Sequence, residues 1–142
     1  MSIKAFMQPP VEAETKKVLI SERFVDEVTG EPLPFEIRVI SQETNENIKR
    51  QASKPIRKNG IVVGEDFDSI KYGKLLLMAC TVTPNFKDAE LCDYYKTKLP
   101  EEVPGRMLTA GEYNALVREI GKLNGFAETE DEVKELEEEA KN

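Results

Sequence analysis

The chain contains no histidine and no tryptophan. Without histidine it has no Ser-His-Asp or Cys-His nucleophile pair, and no imidazole to hold a metal. Cysteine occurs twice, as Cys80 and Cys92, and never as a Cys-x-x-Cys pair. Two buried thiols suit a reducing cytosol, and a disulfide between them would need an oxidising compartment. Gly60 and Gly64 make no phosphate loop, because no GKS or GKT follows them. No dinucleotide fingerprint is present. The most apolar stretch, Asp68–Val82, is too short for a bilayer, which needs about 20 residues. Ile3–Met7 is too short for a secretory leader and is broken by Gln8-Pro9-Pro10. Glu65, Asp66 and Asp68 read as acids dressing a helix start rather than as a cation site. Carboxylates remain for acid–base work, but no pair among them stands apart from the rest. The expectation is a protein without catalytic residues, cofactor or metal, and without a membrane partner.

What the chain does have is charge. It carries a formal −7 over 142 residues, and the sign is not evenly spread. Glu128–Asn142 holds eight acids against two lysines, a net −6, so the body before it is nearly neutral. A balance of this kind argues against general nucleic-acid binding. The division predicts one globular domain over 1–126 and an acidic tail over 127–142. The tail is helix-prone, with Thr129 and Glu132 placed as a capping box, but only Val133, Leu136 and Ala140 are apolar. A solvated acidic tail is the expected reading.

Asp68–Val82 organises the body. Its apolar residues run nearly all round a helix, the mark of a buried one. Asp68 is placed to cap it, and Thr83-Pro84 to end it. Upstream, Lys17–Val25 and Phe35–Ile40 read as strands of a hairpin, with Phe35, Ile37 and Val39 alternating against Glu36 and Arg38. Ser41 opens a lightly anchored surface helix to about Ala52. Lys49, Arg50, Lys54, Arg57 and Lys58 follow with no acid among them, and read either as a solvated helix end and loop, the favoured reading, or as a basic patch for an acidic partner or phosphate. Asn59-Gly60 predicts either a second short hairpin or an exposed loop. Asp88 caps a short helix that puts Leu91, Tyr94 and Tyr95 on one face. Lys98–Arg106, with two prolines and a glycine, is expected to be irregular. Thr109 and Glu112 form a capping box, and Leu108 and Tyr113 a hydrophobic staple. Tyr113, Leu116, Val117 and Ile120 supply the stripe of the helix that follows, and Asn124-Gly125 ends it with a left-handed cap. The fold class expected is α+β, mainly helical: an N-terminal β-hairpin on a bundle of about four to five helices around a central buried helix.

The blocks GKLLLMACTVTPNFKDAELCDYY (Gly73–Tyr95) and MLTAGEYNALVREIGKLNGF (Met107–Phe126) resemble the XkdN-like phage tail assembly chaperone family. The opening SIKAFM (Ser2–Met7) and the strand FEIRVIS (Phe35–Ser41) are similar to it as well, so the resemblance runs to Phe126. It implies a phage or prophage protein of the host cytoplasm, absent from the finished particle. It further implies that the protein binds the tape measure protein and helps recruit tail tube subunits. The alternative is a structural virion component, such as a tail completion or connector subunit. A partner that must later leave suits shallow apolar patches, and weak self-association would add valency along a rod. The candidate partner-binding residues are Ile3, Phe6 and Met7, then Phe86 with Tyr94 and Tyr95, then Phe126. Each also fits ordinary packing: Ile3–Met7 is either a turn packed on the body or an arm for another subunit.

Overall fold

Phe35 and Ile37 are buried while Glu36 and Arg38 are only half so, the period-two division their alternation predicts. The structure, a computed structural model, describes residues 2–126. These four residues form β2 (Phe35–Arg38), the middle strand of a three-stranded sheet. β1 (Thr15–Val18) pairs with it antiparallel, Val18 opposite Phe35 and Thr15 opposite Arg38. The expected hairpin is present, but its first strand lies earlier than Lys17–Val25. Past Val18 the chain is drawn off the sheet, because the Arg23 guanidinium donates to Glu112 and to the Met107 carbonyl. The connection is closed by an isolated bridge between Val25 and Pro32. Within it, the Asp26 carboxylate accepts from the Val28 and Thr29 amides.

Ser41 caps α1 (Gln42–Gln51), its hydroxyl accepting from the Thr44 amide. Ile48 is the one buried residue of this helix, and Ala52 is buried just beyond it. Asn59-Gly60 resolves as a hairpin: β3 (Ser53–Lys58) pairs antiparallel with β4 (Ile61–Phe67). Asn59 and Gly60 take φ of 52° and 77°, the left-handed pair that a two-residue hairpin turn requires. The Asp68 amide donates to the Ala52 carbonyl and closes the hairpin's base. A β-branched residue is strained at such a φ, so Gly60→Val should cost the hairpin about 1–2 kcal/mol. Amide exchange should then accelerate in β3 and β4 and stay unchanged in the core helices; equal acceleration throughout would contradict this.

The stretch read as one helix from Asp68 to Val82 divides in two. α2 (Ser69–Cys80) starts as expected, with the Asp68 carboxylate accepting from the Lys71 amide. It stops at Cys80, and β5 (Thr81–Thr83) pairs with the second edge of β2, Thr81 opposite Ile37. Thr81 and Val82 are β-branched and suit a pleated strand, and the edge of β2 is open to them. The Thr81 hydroxyl donates back to the Leu77 carbonyl and secures the corner. Nor is the helix buried all round. Leu75, Leu77 and Cys80 are buried, whereas Ile70, in the first turn, is 72% exposed.

Asp88 caps α3 (Ala89–Tyr94) through the Leu91 amide. The region expected to be irregular is instead helical: a 3-10 turn over Pro100–Glu102 runs into α4 (Val103–Met107). Its prolines fall in first-turn positions, where a missing N–H costs nothing and the fixed φ suits a helix. Val103 and Pro104 anchor it in the core. α5 (Ala110–Asn124) has the full capping box, and Gly125 closes it at φ 71° with the Phe126 amide donating to Gly121. Leu116 and Ile120 are buried, but Val117 stays 47% exposed, so the stripe is narrower than its spacing predicts.

The protein is thus α+β, with five α-helices, a three-stranded sheet and a two-stranded sheet among the described residues. Its core draws on β2, α2, α4 and α5 together, so the sheet shares the centre with α2. The helix expected at Thr129–Lys141 lies outside the described residues.

Candidate docking surface

α2 offers more apolar surface than its neighbour can cover. α1 brings a single buried residue, Ile48, and packs against only part of it. The Tyr72 hydroxyl ties the two helices by donating to Asn45. Between α1, α2 and β5 lies an open cleft of about 490 Å³. Its apolar floor is Ile48, Leu75, Met78, Ala79 and Val82. Asn47, Gln51 and Asn85 stand in the lining with amide side chains, and Arg38 and Lys87 supply positive charge. Arg38 is held in place by its Nε, which donates to the Ala79 carbonyl at 2.8 Å. No carboxylate is among the described residues of the lining, although Glu12 stands just outside it and accepts from the Thr44 hydroxyl.

Such a surface can receive the apolar face of a helix flanked by acids. Among the described residues its lining holds no cysteine, serine or carboxylate. Cys80, at the end of α2, is fully buried, and burial pushes its thiol up to about 12 despite the pull of Arg38. It therefore stays a neutral, unreactive thiol. Among the described residues no three carboxylates or thiols gather as a metal site, and no helix is long and apolar enough to cross a membrane.

The partner-binding residues expected from sequence divide into two groups. Ile3 and Phe6 lie on a 3-10 turn (Ile3–Phe6) that Met7 closes, and all three are about 70% exposed, so they do not pack on the body. Tyr94 is 76% exposed. It meets Tyr95 edge-on, ring centroids 4.9 Å apart. Tyr95 and Phe126 are half-buried against the core, the Phe126 amide turning back to the Gly121 carbonyl of α5. Phe86 is a correction: at 1% exposure it is a core residue and offers nothing to a partner. The turn at Asn85, whose side chain accepts from the Lys87 amide, aims it inward. The Cys92 thiol then donates to the Phe86 carbonyl from below.

Sequence reasoning missed the cleft itself. The signal was present as a mismatch: a helix apolar nearly all round beside one with a single apolar anchor. It also missed the exposed apolar residues of the β3–β4 hairpin, Ile56, Ile61, Val62 and Val63.

Comparison with known proteins bears on what such a surface is for. The family model described as phage XkdN-like tail assembly chaperone protein matches residues 3–141, and so extends past Phe126 through the acidic segment. The phage-like element PBSX protein XkdN of Bacillus subtilis is 36% identical over 135 residues, covering 93% of this chain and 87% of that one. The uncharacterized protein YqbN of the same organism matches to the same extent. A crystal structure of YqbN superimposes with a TM-score of 0.72 at 28% identity, over 89% of this chain and 98% of that one. The chain belongs to the XkdN-like phage tail assembly chaperone family.

Proposed function

We propose that the protein binds the tape measure protein of its phage or prophage and assists assembly of the tail tube around it, without catalysing a reaction. The observation that carries this reading is the cleft between α1, α2 and β5, an apolar floor with the cations Arg38 and Lys87 in its described lining. A tape measure is a long chain with apolar helical faces, which aggregate unless something covers them until the tube forms. A shallow, open site suits that task, because the partner must be released when tube subunits arrive. The exposed Ile3, Phe6, Met7 and Tyr94 add apolar contact outside the cleft. They serve the tape measure, the tail tube protein or weak self-association along the rod, where valency replaces a single strong contact. The protein acts in the host cytoplasm and leaves before the particle is complete.

The test is a titration with the phage's own tape measure protein. The parent chain should suppress its aggregation, and Val82→Glu, which places a charge on the cleft floor, should weaken binding by about tenfold, or about 1.4 kcal/mol. Unchanged aggregation with the parent chain would sink the proposal. Mass spectrometry of purified particles should find the chain absent; stoichiometric retention would mark a structural virion component instead.

A further inference from the structure

We propose that the β3–β4 hairpin pairs this chain with a second copy of itself, the two hairpins lying antiparallel along their β4 strands. Three observations carry it. The first is that the hairpin is left uncovered. No residue of β3 or β4 is buried, and Ile56, Ile61, Val62 and Val63 are 44% to 66% exposed. Outside itself the hairpin meets α1 through β3, and Phe67 leans on the Tyr72 ring, 5.6 Å between centroids. A two-stranded ribbon with so little beneath it is marginal in water and gains from a further strand.

The second is that its two edges are unlike. β3 carries Lys54, Pro55 and Lys58, and prolines and lysines are what keep an edge strand from pairing further. β4 has no proline and no cation. Its ladder steps from Val62 opposite Arg57 to Gly64 opposite Ile56, so Val63 has no counterpart in β3. The third is charge. Arg57 and Lys58 stand at the tip of the hairpin, Glu65 and Asp66 toward its base. Among the described residues none of these four is in an ion pair. Two hairpins laid parallel would set like charges side by side. Laid antiparallel about a two-fold axis, each basic tip lies beside the other copy's acidic base, with the apolar residues between. The pairing names a surface for the self-association considered above and does not need the tape measure reading.

Sedimentation of the full chain, alone in solution, should show a monomer–dimer equilibrium that shifts with concentration. Val63→Lys, at an exposed position without a partner in β3, should weaken it by about tenfold or more. Arg57→Glu with Lys58→Glu should abolish it, and so should Glu65→Lys with Asp66→Lys. Mixing these two charge-reversed chains should restore dimers, as should all four substitutions in one chain; a hairpin that had merely lost its fold would not recover on mixing. Lys17→Glu, on β1, should leave the equilibrium as it is. A chain that stays monomeric at every concentration would overturn the proposal. So would dimers that survive either charge reversal, dimers that mixing fails to restore, or an equal loss with Lys17→Glu. Tape measure protein is absent throughout, so failure here is distinct from failure of the chaperone reading.

Discussion

Phe86→Ala should destabilise the protein by about 3–5 kcal/mol, enough to unfold a large share of a marginally stable domain at 37 °C. Phe86 is the largest of the fully buried side chains. It sits between the end of β5 and the start of α3, and the Cys92 thiol donates to its carbonyl. Truncation removes a benzyl group's transfer energy and leaves a cavity that the surrounding helices cannot collapse to fill. The measurement is urea unfolding at pH 7. A docking residue would behave differently: its loss would weaken partner binding and leave the unfolding midpoint alone. Tyr94→Ala, three-quarters exposed, is the matched control and should change stability by less than about 0.5 kcal/mol. A Phe86→Ala chain as stable as the parent would return this residue to the surface.

Glu112→Ala should cost about 2 kcal/mol at pH 7, and the loss should fade in acid. One carboxylate closes two structures. It accepts from the Thr109 amide as the third residue of the capping box, and it takes the Arg23 guanidinium on both oxygens. That pairing fastens the connection between β1 and β2 to α5, elements far apart in sequence. The Arg23 hydrogen bond, and after it Ser21 and the Thr109 amide, hold the Glu112 carboxyl well below the usual carboxylate range. A group depressed in the folded state stabilises fully above its unfolded pKa, about 4.3 for glutamate, and the contribution falls as pH drops through the folded value. Parent and variant should therefore differ most at pH 6–7, and the gap should narrow progressively as pH falls below about 4. A gap that is the same at pH 7 and pH 3 would assign the effect to packing. Glu119, whose nearest cations lie at 3.9 and 4.0 Å, should show little loss on the same substitution, within about 0.5 kcal/mol.

The helix caps were legible because each is written in a few adjacent residues. Ser41, Asp68, Asp88 and Thr109 all accept from the amide three residues on, as their spacing predicts. The left-handed close at Gly125 and the tight turn at Asn59-Gly60 are equally local, for they depend on what φ a residue tolerates. The alternation of Phe35 and Ile37 likewise identified the inward face of β2 before any partner was known.

Apart from the pairing of β1 with β2, what failed were the statements about partners at a distance. Thr81–Thr83 is a strand because β2 offers it an edge, and nothing within Asp68–Val82 says so. Val18 ends β1 because Arg23 reaches a carboxylate 89 residues away. Phe86 points inward, and Ile70 and Val117 outward, because burial depends on which neighbours fill the space and not on the periodicity of the segment alone. The cleft belongs to the same class, since it is the part of α2 that α1 does not cover. By itself the sequence determined the helix caps and tight turns, the charge division between body and tail, and the family. Tertiary structure decided which apolar residues remain free to meet another chain, because that is settled by long-range packing, which no short window of residues contains.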